Sequence, residues 1–103
     1  MEVYAMIIDK MLNGTELNVN VAGRLDTTTA PQLEAALKES LAGVTKLVLD
    51  FAALEYVSSA GLRVILQAQK IMNKQGTMII CNVNETIDEI FEVTGFIDIL
   101  TIE

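Results

Sequence analysis

Two neighbouring serines, Ser58 and Ser59, are the residues of this chain best placed to do chemistry. They follow the aliphatic run Leu47-Val48-Leu49-Asp50-Phe51 and precede Ala60-Gly61-Leu62, where apolar residues begin to recur at helical spacing. A strand that passes through a serine-containing turn into a helix directs free backbone N–H groups and the positive end of the helix dipole at one spot. A serine hydroxyl there has two uses. It can cap the helix, worth about 1 kcal/mol, and Ser59 is the serine expected to do so. It can also accept a phosphoryl group, adding about −1.5 to −2 charges where the backbone already favours an anion. A second polar set, Asp26-Thr27-Thr28-Thr29, lies upstream, ahead of another helical pattern. Asp26 can order its own turn by accepting from the N–H groups of Thr28 or Thr29, and it can equally face a partner.

Other chemistries lack their parts. The chain has no histidine, which removes the commonest general base, the commonest zinc ligand and every serine–histidine triad. No Gly-x-x-x-x-Gly-Lys-Ser/Thr loop is present and the glycines never cluster, so no cofactor or phosphate-binding loop is expected. Glu85, Asp88, Glu89 and Glu92 read as a solvated helix face, too loosely spaced for a metal site. A net charge of −7 with scattered basic residues argues against nucleic acid. The single Cys81, in the apolar run Met78-Ile79-Ile80-Cys81, fits a small core hydrophobe in a reducing compartment. No apolar run approaches membrane-spanning length and no basic leader precedes one, so a cytoplasmic location without membrane insertion is expected. An enzyme is therefore the weaker reading and an interaction module the stronger.

The elements that must position these residues follow from periodicity. The chain's 103 residues, without repeats or linkers, are expected to form a single domain over 1–103. Val3-Tyr4-Ala5-Met6-Ile7-Ile8 predicts a first strand, and Asn13-Gly14 a type I′ hairpin turn. The next strand alternates, with Leu17, Val19 and Val21 on one face and Glu16, Asn18 and Asn20 on the other. Thr29 predicts an N-cap, with Pro31 in the first turn, Gln32 closing a capping box, and Leu33, Ala36, Leu37 and Leu41 as the apolar stripe. Lys46–Asp50 is a strand, and Ser59 to about Lys74 a helix that keeps Leu62, Ile65, Leu66 and Ile71 or Met72 inward. Thr77–Cys81 is a strand, Asn84 caps a third helix ended by Gly95, and Ile97–Ile102 completes the set as a short strand. Such alternation predicts an α/β fold: a mixed sheet of four or five strands that starts as a β-hairpin and continues in parallel β-α-β units, with helices mainly on one face. The carboxyl ends of parallel strands share one edge, which brings Asp26–Thr29 beside Ser58 and Ser59.

Taken together, Gly23-x-Leu25-Asp26 with Thr29, Leu47-Val48-Leu49-Asp50, Tyr56-Val57-Ser58-Ser59-Ala60-Gly61-Leu62 before Val64-Ile65-Leu66, and the ending Ile90-Phe91-x-Val93-x-Gly95 resemble a STAS domain of the anti-sigma factor antagonist type. The resemblance spans nearly the whole chain. It implies a bacterial partner-switching regulator that binds a kinase-type anti-sigma factor when unphosphorylated, and so frees a sigma factor. It implies as partners that anti-sigma factor serine kinase, which phosphorylates a serine at the start of the second helix, and a metal-dependent phosphatase that removes the phosphate. Aligning on Gly61-Leu62 places the acceptor at Ser59, with Ser58, where many members carry Asp, as the alternative. Many members also have a serine at Ala60 and a glycine at Arg63. The implied partner-binding set is Asp26, Thr27, Thr28, Thr29, Ser58, Ser59, Ala60, Gly61 and Arg63, where Gly61 either admits a partner closely or is an ordinary first-turn glycine. The alternatives are an unphosphorylated docking subunit, for example of a membrane transporter, and a small nucleotide-binding domain.

Overall fold

The computed structural model describes residues 6–103. The first strand expected from Val3 onward lies partly outside them; the strand observed, β1, runs Ile7–Asn13 and pairs antiparallel with β2, Glu16–Leu25. Asn13 pairs with Glu16, so the two loop residues are Gly14 and Thr15. Gly14 has φ +65, and no positive φ occurs at Thr15. Glycine thus takes the first central position, the type II′ pattern, and the expected Asn-Gly type I′ turn is not made.

The sheet order is β1-β2-β3-β5, with β3 at Lys46–Asp50 and β5 at Thr77–Cys81, and with parallel pairing from β2 onward. A strand that periodicity did not reveal, β4 at Leu54–Val57, pairs parallel with the end of β2. The long β2 gives its first half to β3, Glu16–Asn20, and Gly23–Leu25 to β4. The register slips between Gly23 and Arg24: Leu54 stands opposite Gly23 but Tyr56 opposite Arg24, leaving Glu55 as an extra residue. Gly23, at φ +99, takes the backbone conformation that this irregularity requires. The bulge explains why Leu54 and Val57, three apart, both point inward and are 1% and 3% exposed.

Helices α1 (Ala30–Ser40), α2 (Ser59–Gln75) and α3 (Glu85–Thr94) lie against one face. Register aligns Leu17 with Leu47 and Met78, and Val19 with Leu49 and Ile80; all six are buried. They meet Leu33 and Leu37 of α1, Ile65 and Met72 of α2, and Ile87 and Phe91 of α3 in one aliphatic core. Their neighbours Asn18, Asn20, Val48, Asp50, Ile79 and Cys81 are on the other face and none is fully buried, as the half-polar second strand predicted; Cys81, expected in the core, is thus half-buried outside it, because its place in β5 alternates with that of Ile80. Within α2, Leu66 and Ile71 are half-buried, while Val64, Ala68 and Gln69 join the buried set.

The last strand is not formed. Phe96–Asp98 makes a short 3-10 turn, with Ile99 and Leu100 N–H donating to Phe96 O at 2.9 and 3.0 Å. Local bonds thus consume the start of the segment, and its end reaches the sheet only as an isolated bridge of Ile102 to Ile80, with Thr101 O accepting from Ile80 N–H and Glu103 N–H donating to Ile80 O, both at 2.9 Å. Asn84 caps α3 as expected, its Oδ1 accepting from Ile87 N–H at 3.0 Å, and Gly95 ends that helix at φ +80.

At the other end of the sheet, α2 turns into β5 at Gly76 with no room to spare. A Cβ there would lie 2.6 Å from the carbonyl carbon of Thr45 and closer still to its oxygen, both backbone atoms. Gly76→Ala is therefore expected to destabilise the fold by about 2–3 kcal/mol, the upper part of the overpacking range. Urea unfolding checks this; a wild-type midpoint would show that the junction can spread.

Candidate partner-binding edge and phosphoacceptor

The edge is assembled from two loops, one after β2 and one after β4. They are joined at Leu25. Its carbonyl accepts from Ser58 N–H at 2.8 Å, and its side chain fills the space in front of Gly61. A Cβ on residue 61 would lie 2.6 Å from Leu25 Cγ and 2.9 Å from Leu25 O. Gly61 is buried, so its missing side chain serves internal packing of α2 on β2 and not the approach of a partner. That corrects its place in the expected partner-binding set.

The loop after β2 is a closed polar knot. Asp26 Oδ1 accepts from Thr28 N–H at 3.0 Å and Thr28 Oγ1 at 2.7 Å, and from Thr29 N–H at 3.2 Å. The Thr28 hydroxyl, with the N–H groups of Thr28 and Thr29, holds the Asp26 carboxyl below the ordinary carboxylate range, against a smaller desolvation effect. Thr29 begins α1 but does not cap it through its side chain. Its hydroxyl donates to Arg24 O at 2.6 Å and accepts from Asp26 N–H at 2.9 Å. Gln32 reaches Met6 O at 3.3 Å instead of the start of the helix, so the expected capping box is not formed. Thr29 is 7% exposed and belongs to the scaffold, while Thr27 and Thr28 face solvent.

The start of α2 divides labour between the serines. The N-cap is Ser58, not Ser59. Ser58 has extended backbone, and its Oγ accepts from Gly61 N–H at 3.4 Å. Ser59 is the first helical residue and is exposed, and no hydrogen bond engages its hydroxyl among the described residues. Ala60 is half-buried against the core, and Arg63 is exposed one turn beyond Ser59. The outward surface of the edge is therefore Thr27, Thr28, Ser59 and Arg63, with Asp26 and Ser58 half-buried between.

Two further residues of the edge escape a reading of sequence pattern. The Arg24 guanidinium lies 4.5 Å from the Tyr56 ring centroid, and its Nε lies 3.9 Å from Asp26 Oδ2. Their cross-strand pairing depends on the β4 bulge, which no local pattern announces. Among the described residues, no group of three or more His, Cys, Asp or Glu is arranged to hold a metal ion. No helix among them is long and apolar enough to cross a membrane.

Comparison with known proteins gives this architecture a family context. The STAS domain model matches residues 8–103. A candidate anti-sigma factor antagonist of Bordetella bronchiseptica is 38% identical over 82 residues, covering 78% of this chain and 71% of that protein. The anti-sigma-B factor antagonist of Bacillus subtilis is 30% identical over 96 residues, 92% of this chain and 88% of its own. The anti-sigma factor antagonist SpoIIAA in its unphosphorylated form superposes with a TM-score of 0.79 at 20% identity, covering 96% of this chain and 88% of its own. The phosphorylated form of Bacillus SpoIIAA does so with 0.72 at 20% identity, covering 96% and 91%. These structural likenesses concern the fold.

The division between the serines has a measurable consequence. Ser58→Ala should lower stability by about 0.5–1 kcal/mol, the low side of the capping range because its bond is long, whereas Ser59→Ala should stay within about 0.5 kcal/mol of wild type. Thermal melts decide, and equal losses would refute the assignment. Asp26 adds a pH dependence. Its folded-state pKa is depressed, so its contribution is present above the ordinary carboxylate range and is lost as pH falls through the lowered value. The difference in urea midpoint between wild type and Asp26→Asn should therefore shrink on going from neutral to strongly acidic pH; a constant difference would exclude this origin.

Proposed function

This chain belongs to the STAS domain family, and we propose that it is an anti-sigma factor antagonist whose affinity for its partner is switched by phosphorylation of Ser59. Unphosphorylated, it binds an anti-sigma factor that is also a serine kinase, and so releases a sigma factor. Transfer of the γ-phosphoryl group of ATP to Ser59 Oγ, with ADP leaving and the hydroxyl proton lost, ends that binding. A phosphatase acting on phosphoserine restores it. The domain contributes no catalytic group of its own and works in the cytoplasm, where such partners act.

The observation that carries this reading is the exposed hydroxyl of Ser59, unengaged among the described residues, beside a neighbour that already does the capping. Modifying Ser58 would remove the cap, whereas Ser59 can be modified with the helix start left intact. The phosphate then lies at a helix N-terminus, where negative charge is tolerated and the fold survives. A partner pressed on the same edge must desolvate that dianion, which is costly. The edge residues Asp26, Thr27, Thr28, Ser59 and Arg63 form the contact surface in this reading, with Ser58, Ala60 and Thr29 as its support.

The acceptor is identified by incubation with the cognate kinase and ATP, followed by peptide mass mapping. Label on Ser59 that disappears in Ser59→Ala supports the reading, and label on Ser58 overturns it. Ser59→Asp should weaken binding to the anti-sigma partner by tens-fold, the lower end of the roughly 2–5 kcal/mol cost of an unmatched buried charge. Its melting temperature should stay close to wild type, since a carboxylate in the first helical turn is favourable. Calorimetric titration measures the first quantity, and equal affinities would leave Ser59 without a regulatory role.

A further inference from the structure

Helix α2 has an unusual charge pattern for so acidic a chain. Of 7 basic and 14 acidic residues overall, Ser59–Gln75 contains Arg63, Lys70 and Lys74 and no carboxylate at all. The basic residues outside α2 have carboxylate partners: Lys10 with Glu39, Arg24 with Asp26, Lys38 with Glu34, Lys46 with Glu16. Arg63 has no ion pair among the described residues, and its side chain is exposed. The residues three and four positions away on α2 are Ser59, Ala60, Leu66 and Gln67, none of them acidic. One position among them can become an anion, and that is Ser59.

We infer that Arg63 is the receiving group for the phosphate on Ser59, closing an intrahelical ion pair that exists only in the modified protein. The inference rests on the reading of Ser59 as the acceptor and adds its regulation. Residues four apart on a helix face each other across about 5–6 Å, and an anion on the amino-terminal side of the cation is the favourable order. A guanidinium meets phosphate oxygens through two parallel N–H donors, a geometry an ammonium cannot match. Lys70 lies about 10 Å further along the helix axis and does not compete. Arg24, the other arginine, is already held over Tyr56 and beside Asp26. Phosphorylation thus changes the edge twice over. It adds a dianion, and it withdraws the cation that a partner carboxylate would otherwise meet there.

The test uses phosphoserine incorporated at position 59 during translation, so that it needs no kinase and stands apart from the labelling of Ser59. A phosphorus NMR titration then reads the second ionisation of the phosphate in four proteins: the parent sequence, Arg63→Ala, Arg63→Lys and Lys70→Ala. Arg63 favours the dianion, so the parent pKa should lie about 0.3 unit below that of Arg63→Ala. Arg63→Lys should fall between them, and Lys70→Ala should match the parent. The difference should shrink in about 0.5 M salt, where exposed charges are screened. Identical values in the parent and Arg63→Ala, both folded by circular dichroism, overturn the pair. So does a Lys70→Ala shift as large as that of Arg63→Ala. If the shift is found but the kinase labels another residue, the pair stands as chemistry and the functional reading falls.

Discussion

The edge depends on one residue that never reaches the surface. Leu25 ends β2 with its side chain fully buried, its carbonyl bonded to Ser58 N–H and its isobutyl group in the place a Cβ of Gly61 would need. Close approach of strand and helix is what sets two sequence-distant loops side by side. Without it, Asp26 and Ser59 would be two polar loops on a common sheet and not one surface. Because the contact uses backbone on both sides, it has little freedom to relax. Glycine at position 61 is therefore a condition of the architecture, although it sits in the stretch a reader would assign to recognition.

Most of the scaffold was legible because its signals are local. Alternation in Glu16–Val21 located the uncovered face, Asn84 and Gly95 bracketed α3, and apolar spacing marked α2 to within a residue. What escaped notice depends on distant partners. β4 has no period-two pattern because the bulge at Glu55 turns both Leu54 and Val57 inward. Thr29 carries the sequence signature of a cap, yet its hydroxyl is spent on Arg24 O, a bond set by the path of the chain after β2. The role of the cap at α2 moved by one residue, from Ser59 to Ser58, because Ser58 N–H is drawn to Leu25 O and the helix begins after it. Ile97–Ile102 has strand composition, but the 3-10 turn at Phe96–Asp98 satisfies its backbone first.

The juxtaposition of the two loops was legible in the sequence, and the duties of their residues less so. Nine residues were expected at the edge, and the structure does gather them there. It sorts them by burial into a solvent-facing group and a supporting group, which sequence alone does not distinguish. Gly61 and Thr29 hold the frame. Ser59 and Arg63 are left with no structural task among the described residues, and a residue without a structural task is free to serve recognition.

The splitting of β2 between two partners also bears on how the edge comes into being. The β1–β2 hairpin is local in sequence, whereas Glu16 meets Lys46 and Gly23 meets Leu54 only after about thirty residues of chain have closed on themselves, and pairings of that separation are slow to form. A nascent or half-folded chain can therefore display Asp26, and can display Ser59, but does not hold them in a common geometry. The surface certifies its own completion.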